Sequence, residues 1–157
     1  VILRTAWVFS PWGTNFVRTM LRLGETRETL SVVDDQQGCP TSAIDIAAAV
    51  GAVCRRLAGP DPAPSGVFHF VNGGETTWFG LAARVFDRAS VSGRKVPALT
   101  PLASSEWPTP VRRPANSRLD TARFTRTFVI APRPWTEAAD EVVDRLLQSA
   151  DGGRAGA

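Results

Sequence analysis

The run Gly66-Val67-Phe68-His69-Phe70-Val71-Asn72-Gly73-Gly74-Glu75-Thr76-Thr77-Trp78-Phe79-Gly80-Leu81-Ala82 decides the fold class. Its first six residues are apolar, β-branched or aromatic and read as a buried strand. Asn72-Gly73-Gly74 is a turn. Thr76 or Thr77 then offers a hydroxyl to cap a helix, whose inner face carries Trp78, Leu81, Ala82, Val85, Phe86 and Ala89. A strand that turns directly into an amphipathic helix is the building unit of an α/β fold.

The same alternation extends in both directions. Val1 to Phe9 reads as a buried strand, followed by a turn at Ser10-Pro11-Trp12-Gly13 and a helix capped by Thr14 or Asn15. Phe16, Met20 and Leu23 recur along that helix at helical spacing, and Gly24 is expected to loosen its end. Leu30 to Val33 forms a short strand and Asp34 to Pro40 a polar loop. Ser42 caps a second helix, with Asp45 in a capping-box position and Ile46, Val50, Val53 and Leu57 as its apolar stripe. Beyond the central unit come an extended segment at Val96 to Leu102 and a proline-bearing loop from Ser104 to Pro114. Asp120 is expected to cap a single helical turn through Phe124. A last helix follows Pro134, with Val142, Val143, Leu146 and Leu147 as its buried stripe. Residues 1–150 form the expected folded unit, and 151–157 a disordered glycine-rich tail.

The chain has 157 residues, of which 43% are hydrophobic and 21% charged. That balance supports a packed core and excludes intrinsic disorder. No apolar run is long enough to span a membrane. The net charge of +3 is spread over scattered arginines with no basic block, which argues against nucleic acid as a partner. Guanidinium groups facing an anionic small molecule explain the charge equally well. Cys39 and Cys54 are far apart, with no paired-cysteine motif. They read as buried free thiols in a cytoplasmic protein. His69, the sole histidine, lies in an apolar strand and reads as structural rather than catalytic. No metal-ligand cluster is visible. Tyrosine is absent, and Lys95 is the single lysine, so any mechanism that needs a tyrosine is incomplete here. The chain opens on Val1 inside an apolar stretch, without the basic flank of a signal peptide, and reads as part of a longer protein.

Four segments carry a more specific pattern. They are Leu3-Arg4-Thr5-Ala6-Trp7-Val8-Phe9 before a Gly13-x-Asn15-Phe16 helix start, and Val33-Asp34-Asp35-Gln36-Gln37-Gly38-Cys39-Pro40-Thr41. The third is His69-Phe70-Val71-Asn72-Gly73-Gly74-Glu75-Thr76-Thr77-Trp78, and the fourth Arg113-Pro114-Ala115-Asn116-Ser117-Arg118-Leu119. Their order and spacing resemble the dTDP-4-dehydrorhamnose reductase family of extended short-chain dehydrogenase/reductases, from Val1 to about Leu147. The resemblance implies the C-terminal portion of a Rossmann-like α/β enzyme, with its sugar-nucleotide-binding subdomain. It implies reduction of the C4 ketone of dTDP-4-dehydro-L-rhamnose by NADPH, or NADH, to give dTDP-L-rhamnose. In such enzymes a glycine-rich dinucleotide loop and a Tyr-x-x-x-Lys pair lie upstream of the Arg-Thr-x-Trp strand. Neither is matched here, so the resemblance places no catalytic residue in this chain, and this chain alone is expected to be inactive. A non-catalytic relative of the same fold and an enzyme of another nucleotide sugar are the alternatives.

The resemblance also assigns binding positions. Thr5 and Ala6, at the carboxyl end of the first strand, would lie beside the nicotinamide. Trp7 would offer its indole to the deoxysugar, against the alternative of a core tryptophan. Asn15 and Phe16 open a helix whose N-terminus could receive the diphosphate, or they serve only as its cap. Gln36, Gly38, Pro40 and Thr41 form a loop with amide donors for sugar or base, or a structural turn. Arg113 and Asn116 would clamp the diphosphate, unless Arg113 is merely a surface arginine. Trp78, at helical spacing with Leu81 and Val85, reads as core. Phe9 stands where the family often has tyrosine. The family likeness alone allows Mg2+ and a homodimer; no motif secures either.

Overall fold

The first strand does not run through to Phe9. In the computed structural model it divides into β1 (Ile2–Arg4) and β2 (Val8–Phe9). Trp7 breaks it, adopting a left-handed backbone with φ 48°. That conformation is costly for a bulky residue, so surrounding packing must hold it. Ile2 and Val8 are 61% and 46% exposed, and the segment is not the fully buried strand its composition suggests. The structure describes residues 1–107, 111 and 113–154, with side chains through 150.

The chain then alternates as expected. Helix α1 (Phe16–Thr26) leads to β3 (Thr29–Val33), then to the two-residue strands β4 (Gln37–Gly38) and β5 (Thr41–Ser42). Helix α2 (Ala43–Leu57) leads to β6 (Val67–His69), β7 (Thr76–Thr77) and α3 (Trp78–Val91). Strand β8 (Ala98–Leu102), a 3-10 turn at Ser104–Glu106, α4 (Ala122–Phe128) and α5 (Trp135–Arg154) complete it. The pairs β1–β6, β2–β5 and β3–β8 are parallel, and β4–β7 is antiparallel. Parallel pairs require crossover connections, here supplied by the helices. Part of the proline-bearing loop, residues 108–110 and 112, and the last three residues of the expected tail lie outside the described residues.

Caps fix where the helices start. Asn15 Oδ1 accepts from Arg18 N at 3.2 Å, Ser42 Oγ from Ile44 N at 3.2 Å, and Thr77 Oγ1 from Gly80 N at 3.0 Å. Asp45 does not complete a capping box. Its carboxylate accepts instead from Asn72 Nδ2 at 2.7 Å and from Arg133 Nε. Gly24 does not end α1, which continues to Thr26; it is buried where α1 meets α3 at Phe86. Asp120 accepts from Ala122 N, but α4 runs past Phe124 to Phe128. Helix α5 continues through Arg154, so the tail expected from Asp151 begins as helix.

Two apolar clusters form the core. Phe9, Val17, Met20, Val32, Leu81, Val85, Phe86, Ala138, Ala139, Val142 and Val143 join α1, α3 and α5 to β3. Ala49, Val53, Phe68, Phe70, Phe124 and Phe128 join α2, β6 and α4. Phe68–Phe128 and Phe70–Phe124 meet edge to face, each with centroids 5.0 Å apart, a favoured geometry for the ring quadrupoles. Val50 and Leu57, expected in the stripe of α2, are 44% and 39% exposed, because α2 meets this cluster through Ile46, Ala49 and Val53. Cys39 is buried but Cys54 is exposed, which corrects the reading of two buried thiols; both are free. On the outer side of α3 two arginines tie it to α5. Arg84 Nε donates to Asp140 at 2.8 Å and Arg88 Nε to Asp144 at 2.7 Å, each with a second guanidinium contact.

Candidate nucleotide-sugar cleft

Strands β3 and β8, helix α1, the first turn of α3 and the 113–115 segment enclose a cleft of about 1360 Å³. Its walls are mostly apolar: Phe16, Met20, Leu23, Val32, Trp78 and Leu102. Polar groups stand at one end, where β3 gives way to Asp35 and Gln36 and β8 to Ser104. Asp35 is held by that turn: Ser104 donates to it through its backbone N at 2.9 Å and its hydroxyl at 2.5 Å. These bonds hold the Asp35 carboxyl below its ordinary range. Gln36 Nε2 donates to the same Ser104 Oγ at 2.8 Å. Arg113 lines the cleft from an exposed position and makes no ion pair among the described residues.

An aromatic assembly closes the α3 side. The Trp7 and Trp78 indoles stack with centroids 3.7 Å apart and planes 10° apart. Phe16 meets Trp78 at 4.8 Å. Trp7 in turn lies against Gly38, where any Cβ would overlap its indole. Thr41 N donates to the Trp7 carbonyl at 3.1 Å, so the β2–β5 pair holds the left-handed residue in place.

The expected site residues therefore separate into groups. Phe16, Gln36 and Arg113 line the cleft. Trp7 is half-buried and reaches the cleft only through its stack on Trp78, with Gly38 beneath it. Pro40 and Thr41 are fully buried, and the Thr41 hydroxyl donates to the Cys39 carbonyl. Asn15 spends its side chain on its own loop: beyond the cap, Nδ2 donates to the Ser10 and Trp12 carbonyls. Asn116 is exposed, its Oδ1 taken by Arg118 N and Nε. Thr5 is exposed and Ala6 half-buried just past the end of β1.

Trp78 packs against the main core cluster, as its spacing requires, and also lines the cleft. It is half-buried, with its remaining surface on the cleft wall. Its place as the first residue after the Thr77 cap was the available signal, since a helix start at a strand end is where ligands approach α/β sheets. Asp35 and Ser104 were missed because their partnership spans 69 residues. His69 is half-buried in β6, and Lys95 is 71% exposed beside Glu28. Among the described residues no group of three or more His, Cys, Asp or Glu could hold a metal ion, and no helix is long and apolar enough to cross a membrane.

The RmlD substrate binding domain family matches residues 1–148. The chain belongs to that family. It is 45% identical over 148 residues to a dTDP-4-dehydrorhamnose reductase of Sinorhizobium fredii, covering 93% of this chain and 50% of that protein. The crystal structure of a dTDP-4-dehydrorhamnose reductase from Clostridium acetobutylicum superposes with a TM-score of 0.81 at 37% identity, over 94% of this chain and 48% of that one. That of the Bacillus anthracis enzyme in complex with NADP gives 0.77 at 30% identity, over 90% and 46%. This RmlD-type domain thus spans about half the length of the relatives it matches. Its parallel strand pairs and crossover helices are part of a Rossmann-like α/β fold.

Proposed function

We propose that residues 1–150 supply the nucleotide-sugar side of a dTDP-4-dehydrorhamnose reductase, which converts dTDP-4-dehydro-L-rhamnose to dTDP-L-rhamnose with NADPH or NADH. The 45% identity to a reductase of that name carries the reading. The cleft supports it. Its apolar, aromatic walls suit a base or deoxysugar, and the unpaired Arg113 suits a diphosphate. Trp7, Phe16, Gln36 and Arg113 are the binding residues under this reading; Gly38 and Thr41 hold Trp7, Pro40 is the buried residue between them in the loop, and Asn15 and Asn116 shape the rim.

The family likeness sets Thr5 and Ala6 beside the nicotinamide end of the dinucleotide. Small side chains at the carboxyl end of a parallel strand leave room for a flat ring, whereas no glycine-rich loop for the pyrophosphate exists in the chain. The bound cofactor would supply hydride. The carbonyl oxygen must gain a proton as the ketone is reduced. In the family that proton comes from a Tyr-x-x-x-Lys pair, which is not matched here: the chain has no tyrosine, and Lys95 stands at the surface beside Glu28. What this chain contributes is orientation: the aromatic wall of Phe16 and Trp78, backed by Trp7, limits the tilt of the bound nucleotide, and Arg113 anchors the charged linkage. The complete enzyme under this reading works in the cytoplasm, where a homodimer is its proposed assembly.

The test is NADPH oxidation with the dTDP-4-keto sugar, alongside UDP and GDP counterparts. The chain alone should give no turnover. Together with the dinucleotide-binding half of a relative it should turn over the dTDP sugar preferentially. Turnover by the chain alone, or preference for another nucleotide, would overturn the reading.

A further inference from the structure

The polar end of the cleft has a fixed hydrogen-bonding polarity, and proton counting determines it. Asp35 is ionised and accepts both the amide and hydroxyl protons of Ser104. The Ser104 hydroxyl has one proton, and Asp35 takes it. Its oxygen can therefore only accept from Gln36, which makes the group at 2.8 Å the Gln36 NH2 and not its carbonyl. Gln36 is 9% exposed, and Oε1 is left without a protein partner. No buried side-chain polar atom lacks a partner among the described residues, so Oε1 keeps some accessible surface, and the cleft is the space that Gln36 lines. The loop was expected to offer amide donors. At this position it offers an acceptor.

An unpaired acceptor at the polar end of an apolar cleft selects a ligand that brings a donor there, because an acceptor that the ligand covers without matching loses its hydration. The neighbouring Asp35 carboxylate repels a diphosphate, which belongs beside Arg113. The group that reaches Gln36 is then the flat, uncharged end of the nucleotide, lying among Phe16, Met20, Leu23 and Trp78. We propose that Gln36 Oε1 reads the imide N–H of a diketo pyrimidine, thymine or uracil, and that Ser104 and Asp35 are positioning residues that hold its amide in the reading orientation. A cytosine would present a ring-nitrogen lone pair to Oε1 and be disfavoured. This rests on the reading of the cleft as a nucleotide-sugar site and adds the residue that selects the base.

The experiment is calorimetric titration of the full chain with dTDP, N3-methyl-dTDP and dCDP. Loss of one such hydrogen bond with a buried partner left unmatched predicts roughly tenfold or more weaker binding of the methylated nucleotide. Gln36→Leu should bind dTDP and N3-methyl-dTDP within about twofold of each other, and Ser104→Ala, which frees the amide to rotate, should narrow the gap. Equal binding of dTDP and N3-methyl-dTDP by the unaltered chain overturns the role of Gln36 while leaving the nucleotide site standing. So does discrimination that survives in Gln36→Leu. Failure of dTDP to bind at all overturns the nucleotide reading as well.

Discussion

The indole of Trp7 lies flat on that of Trp78, 3.7 Å between centroids, and joins the end of the first strand to the first turn of α3. The stack is made by a residue in a left-handed conformation, φ 48°. Strain of this kind persists only where the surroundings over-determine it. Here they are Trp78 on one side, Gly38 on the other, and the bond from Thr41 N to the Trp7 carbonyl.

Gly38→Ala tests that arrangement. A methyl group at this position overlaps the Trp7 indole, which the Trp78 stack prevents from retreating. Overpacking of this sort costs about 1–3 kcal/mol. Thermal unfolding should shift down accordingly, and the coupled-indole signal in circular dichroism should weaken. An unchanged dichroism spectrum would show that the stack does not depend on Gly38.

Gly24→Ala sets two effects against each other. Alanine gains about 0.8–1 kcal/mol of helix propensity over glycine. The new Cβ, however, stands 2.7 Å from Phe86 Cε1, inside the core cluster of α1, α3 and α5. Overpacking a buried aromatic costs about 1–3 kcal/mol, so the net effect is destabilising. Trimming the obstacle in Gly24→Ala/Phe86→Leu should recover part of the loss relative to Phe86→Leu alone. A denaturant midpoint for Gly24→Ala above that of the unaltered chain would mean that the helices can separate there.

Asp35 gives a pH dependence of known sign. Hydrogen bonds from the Ser104 hydroxyl and amide hold its carboxyl below the ordinary value. Its contribution to stability is therefore complete above the unfolded-state pKa of about 3.9 and is lost as the pH falls through the lower folded value. Asp35→Asn cannot ionise. The stability difference between it and the unaltered chain should be constant from about pH 5 to 7 and shrink towards zero below about pH 3.5. Melting curves across that range measure it, and a difference that grows on acidification would contradict the assignment.

The strand–turn–helix order was legible in the sequence because it rests on short-range signals. Asn15, Ser42 and Thr77 cap their helices within two or three residues, and the α3 stripe from Leu81 to Ala89 is buried as its spacing requires. Gln36, Phe16 and Arg113, which line the cleft, stood out in the sequence only through the family pattern. What sequence hid was long-range. The break at Trp7 looks like an uninterrupted apolar strand, because its cause is the packing of Gly38 and Trp78. Asp45 looks like a capping residue until Asn72 and Arg133, 27 and 88 residues away, claim its carboxylate. Gly24 looks like a loosening of the helix end until Phe86 is seen to need the space.

Val129 is the second non-glycine residue held in the left-handed region among the described residues. It ends α4 in the left-handed region, φ 55°, with 89% of its surface exposed. A left-handed residue after a helix is an ordinary stop signal, but glycine or asparagine normally occupies it. For a β-branched side chain the conformation costs about 1–2 kcal/mol. Against this stands the extra freedom glycine gives the unfolded chain, about 0.4–1 kcal/mol. Relief of strain outweighs that freedom, and so little of the Val129 surface is buried that few contacts are lost. Val129→Gly should therefore raise stability by up to about 1 kcal/mol, while Val129→Ala, which keeps a Cβ in the same conformation, should gain less. Chemical denaturation of the three proteins orders them. A lower midpoint for Val129→Gly would mean that this residue leaves the left-handed region at little cost.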